Sequence, residues 1–230
     1  MILEVIATSV LDAKLAQEHG ADRIELISGI VEGGVTPSIG LIEQVVKAVD
    51  IPVNVMLRPH ANGFRYNGDD LEVMARDAGI IRESGAAGIV MGMLDERGEI
   101  DTFALEMLLN ETGKLAVTFH RAFDELQDRR SALELLSRYP AIRKILTSGG
   151  KPSVLDAKEE IAELAKLSEG RSMAILAGSG LGVETLDEFI RQTQVREVHM
   201  GTGVRRNGRA LEQIDPDKLR EAADIVARYK

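Results

Sequence analysis

Short apolar runs with a two-residue alternation recur along this chain, each followed by a stretch with helical periodicity. Residues 3–7 set Leu3 and Val5 against Glu4 and Ile6. In 23–27, Glu25 sits between Ile24 and Leu26. Residues 53–58 alternate Val53, Val55 and Leu57 with Asn54, Met56 and Arg58. Further strands are predicted from residues 88, 116, 143, 173 and 197, so strands recur at intervals of roughly 20 to 35 residues. The intervening stretches carry helix punctuation. Ser9, with Asp12 three residues on, opens a helix that stops at Gly20; Thr36-Pro37 opens one running to about residue 49. Asp101 caps a helix closed by Gly113. Helices are also expected over 131–138, 153–168, after Gly178-Ser179-Gly180 to about 193, and after Asp215-Pro216. Eight strand–helix units in 230 residues predict a (β/α)8 TIM barrel, an α/β fold in one domain over 1–230. Segments leading from strand to helix (28–36, 59–68, 120–130 and 201–215) are the long ones. Barrel sites are built on that rim.

In a barrel the face packed on the helices is apolar, so polar strand residues turn inward. That phase places Glu4, Glu25, Arg58, Thr118, His120 and His199 inside. A buried carboxylate is costly without a partner, and Arg58, on the next strand, is the expected counter-charge. Two close acids push their pKa values apart, which suits acid–base work by Glu4, Glu25 and His120; the same residues also suit a structural salt-bridge layer. His120 ends a strand on the rim, with Arg121 and Asp124 behind it. Gly178-Ser179-Gly180 and Gly201-Thr202-Gly203 follow the last two strands, where barrels hold phosphate on loop amides; glycines that only shape turns would look the same. Arg205, Arg206 and Arg209 add positive charge to the last loop. His19 ends a helix, and His60 sits on a rim loop. Lys144, early in the sixth strand, is expected to be solvated rather than a Schiff-base lysine. No P-loop, HExxH, GxSxG or dinucleotide fingerprint occurs.

Composition narrows the field. The apolar share is 44%, enough for a large core, but no apolar run is long enough to span a membrane. The start, Met1-Ile2-Leu3-Glu4, lacks a basic segment and enters a strand at once, unlike a secretory signal. A net charge of −9, with 3% aromatic residues and no Trp, argues against nucleic-acid binding. Zero cysteines exclude disulfides, a thiol nucleophile and thiolate metal ligands. A cytoplasmic protein is the expectation, without nucleic-acid or membrane partners.

Several blocks together resemble the CutC family, named for copper homeostasis. They are Glu4, Arg23-Ile24-Glu25-Leu26, 32–38 (EGGVTPS), Leu57-Arg58-Pro59, 118–124 (TFHRAFD), 146–149 (LTSG), 177–180 (AGSG) and 197–199 (EVH). The resemblance runs from residue 2 to about 210. It implies a cytoplasmic (β/α)8 barrel, often a homodimer, with a proposed role in copper handling and no settled reaction. Matching positions are Glu4, Glu25, Arg58, His120, Arg121, Asp124, Thr147 and His199. Copper(I) favours thiolate and thioether ligands, and family copper binding leans on cysteine, which this chain lacks. Met56, Met91 and Met93 stand singly in apolar surroundings, as core filler does. No resident cofactor is specified; Cu(II) or Zn held by His120, His199 and Glu25 is the metal candidate. Two readings follow. One is a copper-handling protein. The other is an enzyme using Glu/His acid–base chemistry on a small anionic, phosphorylated or sugar-like metabolite, held by Arg58, Arg121 and the glycine loops Gly178, Gly180, Gly201 and Gly203.

Overall fold

The computed structural model describes residues 1–230. Strands β1 (Ile2–Ala7), β2 (Arg23–Leu26), β3 (Val53–Met56), β4 (Gly88–Met91), β5 (Ala116–Phe119), β6 (Ile142–Thr147), β7 (Ala174–Gly178) and β8 (Glu197–Met200) pair in sequence order. All pairs are parallel. β8 closes on β1 with Ile2 opposite Glu197 and Glu4 opposite His199. Parallel neighbours need a crossover, and each is a helix on the outside. These are α1 (Val10–Glu18), α2 (Ile39–Ala48), α3 (Gly68–Glu83), α4 (Thr102–Thr112), α5 (Arg129–Leu136), α6 (Lys158–Ser168), α7 (Val183–Thr193) and α8 (Pro216–Ala227). The chain is therefore a closed (β/α)8 TIM barrel. No helix is long and apolar enough to cross a membrane.

The main core lies between sheet and helices, where Leu3, Val5, Ile24, Leu26, Val117 and Phe119 pack outward on residues such as Ala13, Leu133 and Phe189. Inside the barrel the only apolar cluster is Ile27, Met56 and Val90, flanked by Ile6 and Ile30. Most of the interior is instead polar and buried: Glu4, Arg23, Glu25, Asn54, Thr118, Lys144 and His199. Room for these long side chains comes from inward residues with none. A Cβ on Gly88 would stand 2.6 Å from Asn54 Oδ1 and 2.6 Å from the Ala116 carbonyl.

Three helix starts differ from the sequence expectation. α2 is capped by Ser38, because Thr36 is occupied elsewhere: its hydroxyl accepts from the Arg58 amide at 2.9 Å. α5 is capped by Asp128 and starts at Arg129. Ser153 caps a 3-10 turn, Val154–Ala157, and α6 follows from Lys158. Lys144 is not solvated. It shares the inward phase of Leu146, opposite Ala174, and is only 8% exposed.

Candidate functional site

The mouth of the barrel, where the strands end, holds a cavity of about 620 Å³. Ile6, Ile27, Met56 and Leu146 wall it. Glu25, Arg58, His120 and His199 supply charge and hydrogen-bonding capacity, with Glu32, Arg121, Asp124 and Lys151 toward the rim. Glu25 and His199 reach it because β2 and β8 flank β1 and put them on the inward phase. An apolar wall around a few convergent polar groups is the usual form of a small-molecule site.

The ionisable groups form one connected run. His199 Nδ1 lies 2.9 Å from Glu4 Oε1, and its Nε2 lies 3.7 Å from Glu25 Oε2. Glu4 also accepts from Arg23 Nε and, at 3.2 Å, from Asn54 Nδ2. Arg23 reaches on to Glu197 at 2.6 Å. Arg23, and not Arg58, is thus the counter-charge of the inner acids. Parity explains it: Arg23 sits two residues before Glu25, on the same face of β2, and this signal was present in the sequence.

Electrostatics separates the two glutamates. Burial alone would raise Glu4, but Arg23 and His199 overrule it and hold the carboxyl well below its usual range. Glu25 has no bonded cation. Burial first, then the Glu4 charge, push it up to about 7, against the pull of His199. His199 is raised: burial disfavours its cation, yet Glu25 and Glu4 together favour it more. His120 is pushed down to about 3, by burial and then by the Arg58 charge, and is a neutral ring. Its Nδ1 accepts from the Ala122 amide at 3.2 Å, so the proton sits on Nε2. That Nε2 has no partner in the protein, nor have Glu25 Oε1, Arg58 Nε and Thr118 Oγ1, although all four are buried. Buried polar atoms are ordinarily satisfied. Three of these orphans, on Glu25, Arg58 and His120, belong to residues lining one cavity, which marks where a ligand's polar groups would go.

Other expected residues act one step back. Glu4 does not line the cavity; it lies below and orients the His199 ring. Arg58 lines it, but its guanidinium bonds the carbonyls of Glu32, Gly34 and Gly63 at 3.1–3.4 Å and stacks over Phe64. It is a strut between two rim loops more than a free anion ligand. Arg121 is clasped by Asp124 at 2.8 Å. Asp124 also accepts from the Thr147 hydroxyl and from the amides of Ser148 and Gly150, fastening the loop after β6. Thr147 lies on the outward phase and does not line the cavity. Of the four glycines, Gly180 and Gly201 line it; Gly178 and Gly203 do not. Gly178 makes room beside His199, and a Cβ on Gly203 would fall 2.0 Å from the Leu181 carbonyl. Arg205 is not a rim cation: it is 2% exposed and paired with Asp12 at 2.8 Å. His60 pairs with Asp70 at 3.3 Å on the rim loop.

For a metal, the structure replaces one expected ligand. Glu4, Glu25 and His199 offer donor atoms within 4.8 Å of one another, and His120 is not among them. The sole sulfur on the cavity wall is that of Met56. Nitrogen and oxygen donors of this kind suit Cu(II) or Zn(II), not Cu(I).

Comparison with known proteins agrees with this architecture. The model of the CutC family matches residues 1–204. A family protein CutC of Yersinia enterocolitica is 39% identical over 201 residues, covering 87% of this chain and 78% of that one. A Salmonella paratyphi B protein of the same name is 37% identical over 203 residues, 88% of this chain and 80% of that one. Among solved structures, a Streptococcus agalactiae CutC, named for copper homeostasis, superposes with TM-score 0.81. It shares 28% identity and covers 86% of this chain and 97% of its own. Phosphoribosyl anthranilate isomerase from Thermococcus kodakaraensis superposes at TM-score 0.65 with 18% identity and 98% coverage of both chains, a likeness of fold alone. Over most of its length, therefore, the chain belongs to the CutC family.

Proposed function

We propose that the barrel mouth is an acid–base site acting on a small anionic metabolite. The observation that carries this is Glu25: a buried carboxyl that faces the cavity with one oxygen unpartnered and the other 3.7 Å from His199 Nε2, its pKa pushed upward by burial. Such a group can accept and return a proton at working pH. His199, fixed by Glu4, is its proton partner. Neutral His120 offers an Nε2–H to an oxygen of the ligand, and Arg121 and Lys151 supply positive charge at the rim. The class of reaction is proton abstraction and return next to a carbonyl or at a sugar-like carbon. The test is solvent-hydrogen exchange: the protein in D2O with sugar phosphates and small oxo acids, followed by loss of carbon-bound proton signals in NMR. Exchange with one class, slowed by roughly 10²- to 10⁴-fold in Glu25→Gln, is the expected result. A wild-type protein that binds members of the panel yet exchanges none of them refutes the reading.

A second reading takes up the copper-derived name of the Streptococcus agalactiae relative. It is favoured by the donor cluster of Glu4, Glu25 and His199. Here His199 Nε2 and Glu25 would hold a divalent ion, while Glu4 orients the ring through Nδ1, as carboxylates do behind metal-bound histidines. Dialysis against Cu(II), Zn(II) and Cu(I), followed by metal analysis, separates the two. Stoichiometric Cu(II) or Zn(II), lost in His199→Gln, supports metal handling; substoichiometric metal throughout rejects it. The dimer that the family resemblance implies is tested by light scattering of the same samples.

A further inference from the structure

The barrel has a second cavity, at the end opposite the mouth. It measures about 480 Å³ and lies where β6, β7 and β8 begin, with Arg143, Lys144, Arg171 and Arg196 on its walls. Two acids, Glu169 and Glu197, also line it. Lys144 is nine-tenths buried, and its ammonium makes no hydrogen bond or ion pair within the protein. The acids whose charge it feels are committed elsewhere. Glu197 bonds Arg23 at 2.6 Å, and Glu4 bonds Arg23 and His199. Lys144 is largely desolvated while its ammonium faces the cavity without a bonded counter-charge, and burial, then the charge of Arg23, lower its pKa. Arg143 and Arg196 are exposed and have no ion-pair partner, while Arg171 uses Nε and Nη1 on the Leu167 carbonyl and Ser137 and keeps Nη2 free. Four cations meet here, against one free acid and one already paired.

We propose that this cavity is a second anion site, for a phosphate group, with Lys144 as the buried anchor and Arg143 and Arg196 closing over it. A tetrahedral oxyanion suits this set, because guanidinium forks bond two oxygens at once and the ammonium supplies a compact charge beneath. The site shares no lining residue with the mouth and stands independently of the acid–base reading.

The test is calorimetric titration of the whole protein with inorganic phosphate and, separately, glycerol 3-phosphate, at fixed ionic strength with chloride as control. Saturable binding in the wild type is expected, retained in Arg121→Gln at the mouth. It should weaken about tenfold or more in Lys144→Met and in the double variant Arg143→Ser/Arg196→Ser. Should Lys144→Met fail to fold, the double variant decides, because both positions are exposed and leave the core intact. Tighter binding of glycerol 3-phosphate assigns the site to a phosphorylated metabolite; equal or tighter binding of inorganic phosphate assigns it to the free ion. No saturable binding overturns the proposal. So does binding that disappears in Arg121→Gln and survives in Lys144→Met.

Discussion

Glu25 and His120 titrate in opposite senses, and this gives stability a pH signature. Glu25 is raised from 4.5 to about 7 in the folded protein. Between those values the folded chain keeps a proton that the unfolded chain has released, so this contribution falls as pH rises through the window. His199, also raised, adds a contribution that is present below its unfolded pKa of 6.5 and lost as pH rises through its folded value. His120 is lowered from 6.5 to about 3, so its contribution is lost as pH falls below 6.5. Glu25→Gln removes the first term and takes from His199 its largest raising charge. Wild-type stability relative to Glu25→Gln should therefore decline steadily from roughly pH 5 to 8 in urea melts. A difference that is flat or rises with pH would sink this account of the pair. Gly178→Ala is the steric counterpart. The new methyl would stand 3.0 Å from His199 Cβ and 3.0 Å from Leu146 Cδ1, with ordinary backbone angles. A loss of about 1–3 kcal/mol by denaturant melt, with a shifted His199 titration in NMR, is expected. An unmoved titration would show that the ring has room to spare.

At the level of elements, the rim loops are held by side chains, and Arg58 is the clearest case. Its guanidinium joins the loop after β2, through Glu32 and Gly34, to the loop after β3, through Gly63. Arg58→Met keeps the stem but frees these carbonyls, at a cost of about 1–3 kcal/mol. Amides 29–35 and 59–66 should then exchange with deuterium faster, while those of β5 and β6 stay protected. Uniform acceleration would mean that Arg58 supports the whole barrel. The element pattern itself was legible from period two and from caps such as Ser9, Asp101 and Asp215, all of which cap helices here. Thr36 misled because a hydroxyl that can cap a helix can equally bond a neighbouring strand. Which it does is set by Arg58, 22 residues away. Ser131, the expected first residue of its helix, lies inside α5, and its amide bonds the cap, Asp128.

For the whole molecule, closure is what joins distant charges. Asp12 in α1 and Arg205 after β8 form a buried pair, and Arg205 also bonds the carbonyls of Ile6 and Glu212. Breaking it by Arg205→Met leaves Asp12 buried without its cation, and a loss of about 3–5 kcal/mol is expected in urea melts. A loss below about 1 kcal/mol would show that Asp12 is satisfied by Thr8 alone. The same closure sets β8 beside β1, so that Glu197, Arg23, Glu4, His199 and Glu25 run from one end of the barrel to the other. The sequence by itself determined the eight units, the inward phase of Glu4, Glu25, His120 and His199, and the absence of thiol chemistry, because periodicity and composition are local properties of a chain. Parity along β2 made Arg23 a candidate, but which charges pair was decided by the tertiary structure. Register across closed strands chose Arg23 over Arg58, took Thr147, Gly178 and Gly203 off the cavity wall, and buried Lys144. Which charges meet depends on strand pairing between residues as much as 195 positions apart, and no pattern along the chain encodes that distance.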